Sequence, residues 1–113
     1  MNIKSSKELV DEANKTIKVM SSAEVKSAYE KGDITLIDVR DVRELWKEGV
    51  IKNSIHIPRG MLEFWLDPES AYFKKGKLDL NKEMVLFCAG GLRSALAAKS
   101  LKDMGFKKVS HID

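Results

Sequence analysis

Val85-Leu86-Phe87-Cys88-Ala89-Gly90-Gly91-Leu92-Arg93-Ser94 is the stretch that decides the fold: an apolar run ends on the chain's one cysteine and passes through two glycines into a helical pattern. Val85, Leu86 and Phe87 read as a buried parallel strand, and Leu92, Ala95, Leu96, Ala98 and Leu101 follow at spacings near three and four. The cysteine therefore sits where strand becomes helix. Backbone N–H groups at a helix start have no partner inside the helix, and the macrodipole places about half a positive charge there. A thiolate or a bound anion is stabilised at such a place. Gly90 and Gly91 lack a Cβ and tolerate positive φ, so successive N–H groups can converge above Cys88, and Arg93 adds a permanent cation. The pattern points to an activated thiol in covalent catalysis. The alternative for Cys88 is an inert buried residue at a strand end, but packing alone does not explain the glycine pair, arginine and helix start that follow it. For Arg93 the alternative is a solvated first-turn residue, although a cation there works against the helix dipole.

Working outward, the same strand-then-helix alternation repeats. Ser5 to Thr16 carries Leu9, Ala13 and Ile17 on one stripe, which predicts an N-terminal amphipathic helix. Ile17 to Met20 alternates as a short strand, and Ser21 with Glu24 forms a capping box for a helix that Gly32 ends. Ile34 to Val39 reads as a strand, and Asp41 with Glu44 starts a short helix carrying Leu45 and Trp46 that closes near Gly49. Ser54 to Ile57 is a third strand, ended by Pro58. Gly60 to Leu66 suits a short helix, Asp67-Pro68 a turn, and Ala71 to Lys82 an irregular connection. Gly105 caps the helix after Cys88, and Lys107 to Ile112 is the last strand. Such alternation implies a parallel α/β sheet with right-handed crossovers and a ligand site beyond the carboxyl ends of the strands, where Cys88 lies.

Composition bounds the function. One domain is expected from 113 residues, with 1–16 as a helical extension, and 43% hydrophobic with 33% charged residues reads as globular. A lone cysteine excludes an intrachain disulfide and a Cys-x-x-Cys pair, and with two histidines at no ligand spacing a zinc site is not expected. The N-terminal segment has no apolar signal region and no stretch approaches about 18 apolar residues, so a cytoplasmic protein without a membrane partner is expected. A net charge of +3 with scattered lysines gives no argument for nucleic acid; the densest cluster, Lys74-Lys75-Gly76-Lys77, reads as a solvated loop.

Other candidates are weighed against packing. Asp38 and Arg40 read as a structural ion pair, with Arg40 reaching Glu44 one turn away, rather than as substrate contacts. Arg59 divides evenly between an anion-binding role at the pocket rim and a surface charge. His56 and His111 read as satisfied strand histidines rather than proton shuttles, and Trp46, Phe64 and Trp65 as core or rim packing.

Five stretches together resemble the rhodanese family. Cys88 to Ser94 is similar to its active-site loop, Leu36-Ile37-Asp38-Val39-Arg40 with Glu44 to its first signature, and Gly49 through Ile57-Pro58-Arg59-Gly60 to its second. Met61-Leu62-Glu63-Phe64-Trp65 continues as in a bacterial single-domain subgroup, and Val109-Ser110-His111-Ile112-Asp113 resembles the final strand. The likeness runs from about Ser21 onward. It implies a mainly parallel five-stranded sheet with helices on both faces. It also implies a sulfurtransferase in which Cys88 becomes a persulfide, with Ala89, Gly90, Gly91, Leu92, Arg93, Ser94 and Arg59 binding substrate and no metal or organic cofactor. The donor would be thiosulfate or a similar anion, and the acceptor cyanide or a thiol.

Two departures stand out. The family's Gly-His-Ile-Pro-Gly-Ala run is replaced by Gly49-Val50-Ile51-Lys52-Asn53-Ser54, and the usual C-terminal helix is absent because the sequence stops at Asp113. A buried parallel strand needs cover on both faces. Either the sequence is truncated there, or the stripe of Leu9, Ala13 and Ile17, or a second subunit in a homodimer, is expected to supply the cover. Two rival readings remain: a persulfide-carrier or sulfur-binding module serving a partner protein, and the related phosphatases and arsenate reductases. The latter use Cys-x5-Arg, whereas this chain has Cys-x4-Arg, with Phe87 where many phosphatases have His.

Overall fold

The computed structural model describes residues 2–73, 78, 79 and 81–113. The cluster Lys74-Lys75-Gly76-Lys77 lies outside them. Five strands form one parallel sheet: β1 (Lys18–Met20), β2 (Ile34–Asp38), β3 (Ile55–His56), β4 (Glu83–Phe87) and β5 (Val109–Ile112), in the order β1-β5-β4-β2-β3. The helices are α1 (Ser6–Thr16), α2 (Ser22–Glu30), α3 (Val42–Glu48), α4 (Leu62–Leu66, preceded by a 3-10 turn at Arg59–Met61) and α5 (Leu92–Met104). The expected alternation therefore holds, with element ends moved by a residue or two. β4, which leads to Cys88, occupies the middle of the sheet.

Local chemistry explains the elements. Ser21 accepts from the Glu24 N–H at 3.1 Å while the Glu24 carboxylate accepts from the Ser21 N–H at 3.0 Å, the reciprocal capping box of α2. Asp41 and Glu44 do the same for α3, and Ser5 caps α1. The departure at 49–54 folds as a turn. Asn53 takes φ 66°, a left-handed conformation that asparagine tolerates, and the Ser54 hydroxyl donates to the Ile51 carbonyl at 2.7 Å.

Period-two alternation in the strands divides the core. Ile34 and Leu36 of β2 and Val85 and Phe87 of β4 pack with Val25 of α2 on one face. Ile37, Val39, Met84 and Leu86 meet Leu62, Leu66, Ala97, Ala98 and Leu101 of α4 and α5 on the other. Both faces are thus covered, as buried parallel strands require.

α1 packs mainly on α5, through Val10 and Ala13 against Ala95, and also reaches the sheet, where Asn14 meets His111 of β5. Two apolar assignments are corrected. Leu9 is exposed while its neighbour Val10 is buried, because α1 is rotated to seat Val10 with Ala13 and Ile17. Leu92 is 64% exposed because it begins α5 at the protein surface, so the buried face consists of Ala95, Ala97, Ala98 and Leu101. Trp46 is 77% exposed on α3, which buries none of its residues, and does not belong to the core. Phe64 is half-exposed, edge-on to Tyr72, whereas Trp65 packs against the main core.

Candidate active site

Cys88 follows β4 directly, and the loop to α5 wraps its sulfur. Sγ accepts the Gly91 N–H at 3.2 Å and the Ser94 N–H at 3.4 Å, and lies 3.5 Å from the Ser94 hydroxyl. Gly91 is the N-cap of α5 at φ 83°, and a Cβ there would come within 2.9 Å of the Asp113 backbone. Only glycine satisfies both the angle and the close approach. Of the two loop glycines, Gly91 uses the positive φ that both tolerate and Gly90 does not. Burial pushes the Cys88 thiol up, but the hydrogen bond it shares with the Ser94 hydroxyl and those from the N–H groups of Ser94, Gly90 and Gly91 outweigh it. The thiol is held below its ordinary value. The half-buried sulfur is thus a thiol prepared to ionise.

Arg93, in the first turn of α5, turns its guanidinium to Glu44 of α3, with Nη1 and Nη2 donating to the two carboxylate oxygens at 2.6 and 3.0 Å. This pair raises the Arg93 pKa and lowers that of Glu44; the cation also lies close enough to Cys88 to be favoured by the thiolate. Glu44 therefore has two roles, helix capping and arginine positioning. The sequence showed only the first, because the second joins residues 49 apart.

Arg40 does not take Glu44 as its partner. Its guanidinium and backbone N–H bind the fully buried Asp38 carboxylate at 2.8 to 3.1 Å, and Nη2 also donates to the Gly49 carbonyl at 2.9 Å. Asp38 is simply nearer, two residues back along the same strand end. The ion pair is structural: it ties β2 to the loop after α3, and Arg40 rests over the Phe87 ring at 5.8 Å. Val50, Ile51, Phe87 and Arg40 line an open concavity that reaches Cys88.

Arg59 is held by Glu63 at 2.9 and 3.0 Å, and Glu63 in turn accepts from Ser100 at 2.6 Å. Ser100 lies two helical turns along α5 from Arg93, about 10 Å of rise, so Arg59 is not among the groups that contact Cys88. Ala89 and Leu92 belong to the loop through position; their side chains make no bond to the sulfur. His56 is satisfied by the Arg40 carbonyl at 2.7 Å. His111 is fully buried, with Nδ1 at 2.9 Å from Ser94 Oγ and Nε2 at 2.6 Å from Asn14 Oδ1. Burial pushes the His111 imidazole below its usual value, while the Asp113 carboxylate and the Ile112 backbone work the other way.

A cysteine at the carboxyl end of the central strand, with helix N–H groups aimed at its sulfur, defines a class of α/β proteins built around a reactive thiol. The family of rhodanese-like domains matches residues 21–113, and the chain belongs to it. It is 38% identical over 95 residues to the "Putative sulfurtransferase YtwF" of Bacillus subtilis (strain 168), covering 83% of this chain and 82% of that one. Among solved structures, RPA3614 from Rhodopseudomonas palustris CGA009, described as a "Possible Tyrosine Phosphatase", is 43% identical with a TM-score of 0.92, covering all of this chain and 86% of that one. The polysulfide-sulfur transferase homodimer of Wolinella succinogenes is 36% identical with a TM-score of 0.71, covering 95% of this chain and 75% of that one. No helix among the described residues is long and apolar enough to cross a membrane.

Proposed function

We propose that the protein is a sulfurtransferase that moves a sulfane sulfur from thiosulfate, or a donor like it, to a thiophilic acceptor through a persulfide on Cys88. The observation that carries this reading is the pair of N–H groups, from Gly91 and Ser94, that point at Cys88 Sγ from the start of α5. The Cys88 thiolate attacks the outer sulfur of thiosulfate. The S–S bond of the donor breaks, and sulfite leaves with the bonding electrons. Charge is conserved, because the persulfide carries the negative charge that the thiolate held. Cyanide or a thiolate then attacks the terminal sulfur and the Cys88 thiolate is restored. The loop N–H groups stabilise the anionic sulfur, and Arg93 attracts the sulfonate end of the donor. Ala89, Gly90 and Leu92 frame the space in which the terminal sulfur sits.

The phosphatase description attached to RPA3614 raises the rival chemistry. A tetrahedral phosphate needs the arginine fork free to bind two of its oxygens. In this chain both terminal nitrogens of Arg93 serve Glu44, and the loop has one residue fewer between Cys88 and Arg93 than the Cys-x5-Arg pattern. A single sulfur bound to Cys88 asks less of the arginine than a phosphate does. We place the reaction in the cytoplasm, where abundant thiols discharge a persulfide. The direct comparison is thiosulfate:cyanide transfer beside phosphate-ester hydrolysis, for the chain and for Cys88→Ser. The reading requires transfer that the serine variant loses with an unchanged circular dichroism spectrum, and phosphatase activity without transfer would refute it.

A further inference from the structure

A line of hydrogen bonds leads from the back of Cys88 to the N-terminal helix. Ser94 Oγ lies 3.5 Å from Cys88 Sγ and 2.9 Å from His111 Nδ1, while His111 Nε2 lies 2.6 Å from Asn14 Oδ1. Ser94 and His111 are fully buried, and Asn14 is partly exposed on α1. Nothing in the sulfur-transfer steps above calls on His111 or Asn14. Asn14 also precedes residues 21–113, the span that matches the family, so α1 brings to the site a group from outside that span.

The polarity of the line follows from its far end. An amide oxygen can only accept, so His111 Nε2 carries the hydrogen and Nδ1 presents a lone pair. The Ser94 hydroxyl donates to that lone pair; its other acceptor, the Ile112 carbonyl, is farther away at 3.4 Å. The Ser94 oxygen is then left to accept from the thiol. Every donor in the line points the same way, from Cys88 through Ser94 and His111 to Asn14.

We propose that Asn14 and His111 are positioning residues that draw the thiol proton away from Cys88 through Ser94. The Cys88 S–H bond breaks and its proton goes to Ser94 Oγ. The hydroxyl proton of Ser94 passes to His111 Nδ1. The products are a thiolate and an imidazolium, with every hydrogen bond in the line still made and the Ser94 hydroxyl now donating to the sulfur. The sulfur stays anionic through persulfide formation and discharge, so the proton can remain on His111 throughout the cycle.

The surroundings allow that charge. Asp113, at the end of β5, favours a charged His111, as does the Ile112 backbone. Across the sheet His111 faces Val19 of β1 and Leu86 of β4, both uncharged, and α1 offers it the neutral Asn14. α5 meets His111 through the neutral Ser94, and Arg93, the residue before it, is paired with Glu44. Burial opposes charging of the ring; a Cys88 thiolate, one hydroxyl away through Ser94, favours it.

The inference rests on Cys88 being the reacting sulfur, and its test is therefore independent of any sulfur donor: the rate of Cys88 alkylation by iodoacetamide as a function of pH, in the full chain. Asn14→Leu keeps the size but removes the acceptor, and should slow alkylation at neutral pH about threefold by moving the profile to higher pH. Asn14→Asp strengthens the acceptor and makes His111 more basic, so it should move the profile to lower pH. A new carboxylate acting only through space would move the profile to higher pH, because it disfavours a thiolate. Opposite displacements for the two variants, whatever their melting temperatures, are the expected result. Displacements in the same direction, or an unmoved profile in both, would overturn the proposal and leave Asn14 a purely structural contact.

Discussion

Glu44 holds Arg93 from across the site, with its carboxylate oxygens 2.6 and 3.0 Å from the two terminal nitrogens of the guanidinium. The pair fixes the cation beside Cys88 and at the same time neutralises part of its field. An anionic donor meets an arginine that is well placed but partly satisfied. Removing either partner should therefore act on donor binding, in opposite directions.

Arg93→Ala should weaken the use of thiosulfate by about tenfold, the lower end of what a charge-assisted hydrogen bond of roughly 1.5–3 kcal/mol supplies at a partly exposed site. Discharge of a preformed persulfide by cyanide should suffer less. Glu44→Gln keeps the α3 capping box but removes the negative charge, so KM for thiosulfate should fall by about threefold at low salt and return in high salt. Steady-state and single-turnover kinetics separate these outcomes. Equal losses in both half-reactions for Arg93→Ala, or a higher KM for Glu44→Gln, would contradict this division of labour.

Gly91→Ala should be far more damaging than Gly90→Ala. A Cβ at Gly91 meets the Asp113 backbone at 2.9 Å and the residue sits at φ 83°, whereas a Cβ at Gly90 meets nothing within 4 Å. Backbone strain of this kind costs about 1–3 kcal/mol, and each kcal/mol lowers Tm by on the order of 5 °C in a chain of this size. Thermal unfolding of both variants checks the contrast; similar Tm values would show that the loop does not depend on Gly91.

Much of this arrangement was legible in the sequence, and the exceptions share a physical cause. The strands, the capping boxes at Ser21 and Asp41, and the strand–loop–helix around Cys88 are local patterns, so their residues announce them. Partners across the fold do not announce themselves. Helical spacing pairs Arg40 with Glu44, yet Asp38 takes it and Glu44 reaches Arg93 instead. The α1 stripe was displaced by one residue, from Leu9 to Val10, because a short helix with few apolar positions leaves its rotation to the surface it meets. Asn14 carried no signal at all: its meaning depends on His111, 97 residues later.

The pH dependence of the thiol follows from its surroundings. The Cys88 pKa lies below its ordinary value, and a group whose pKa is lower in the folded chain stabilises the fold above the unfolded value. That contribution is lost as pH falls through the folded pKa. The stability of the chain relative to Cys88→Ala should therefore grow as pH rises toward about 8.5, where an unperturbed thiol titrates. Denaturant melts across that range measure it. A difference that stays constant, or shrinks as pH rises, would mean that the loop N–H groups do not favour the thiolate.

The most direct measurement of the central claim is the intact mass of the chain after incubation with thiosulfate and removal of excess donor. The account predicts the addition of one sulfur atom, its absence in Cys88→Ser, and its loss with formation of thiocyanate when cyanide is added. An unchanged mass under conditions in which Cys88 is reactive toward iodoacetamide, or an added sulfur that persists in Cys88→Ser, would contradict it.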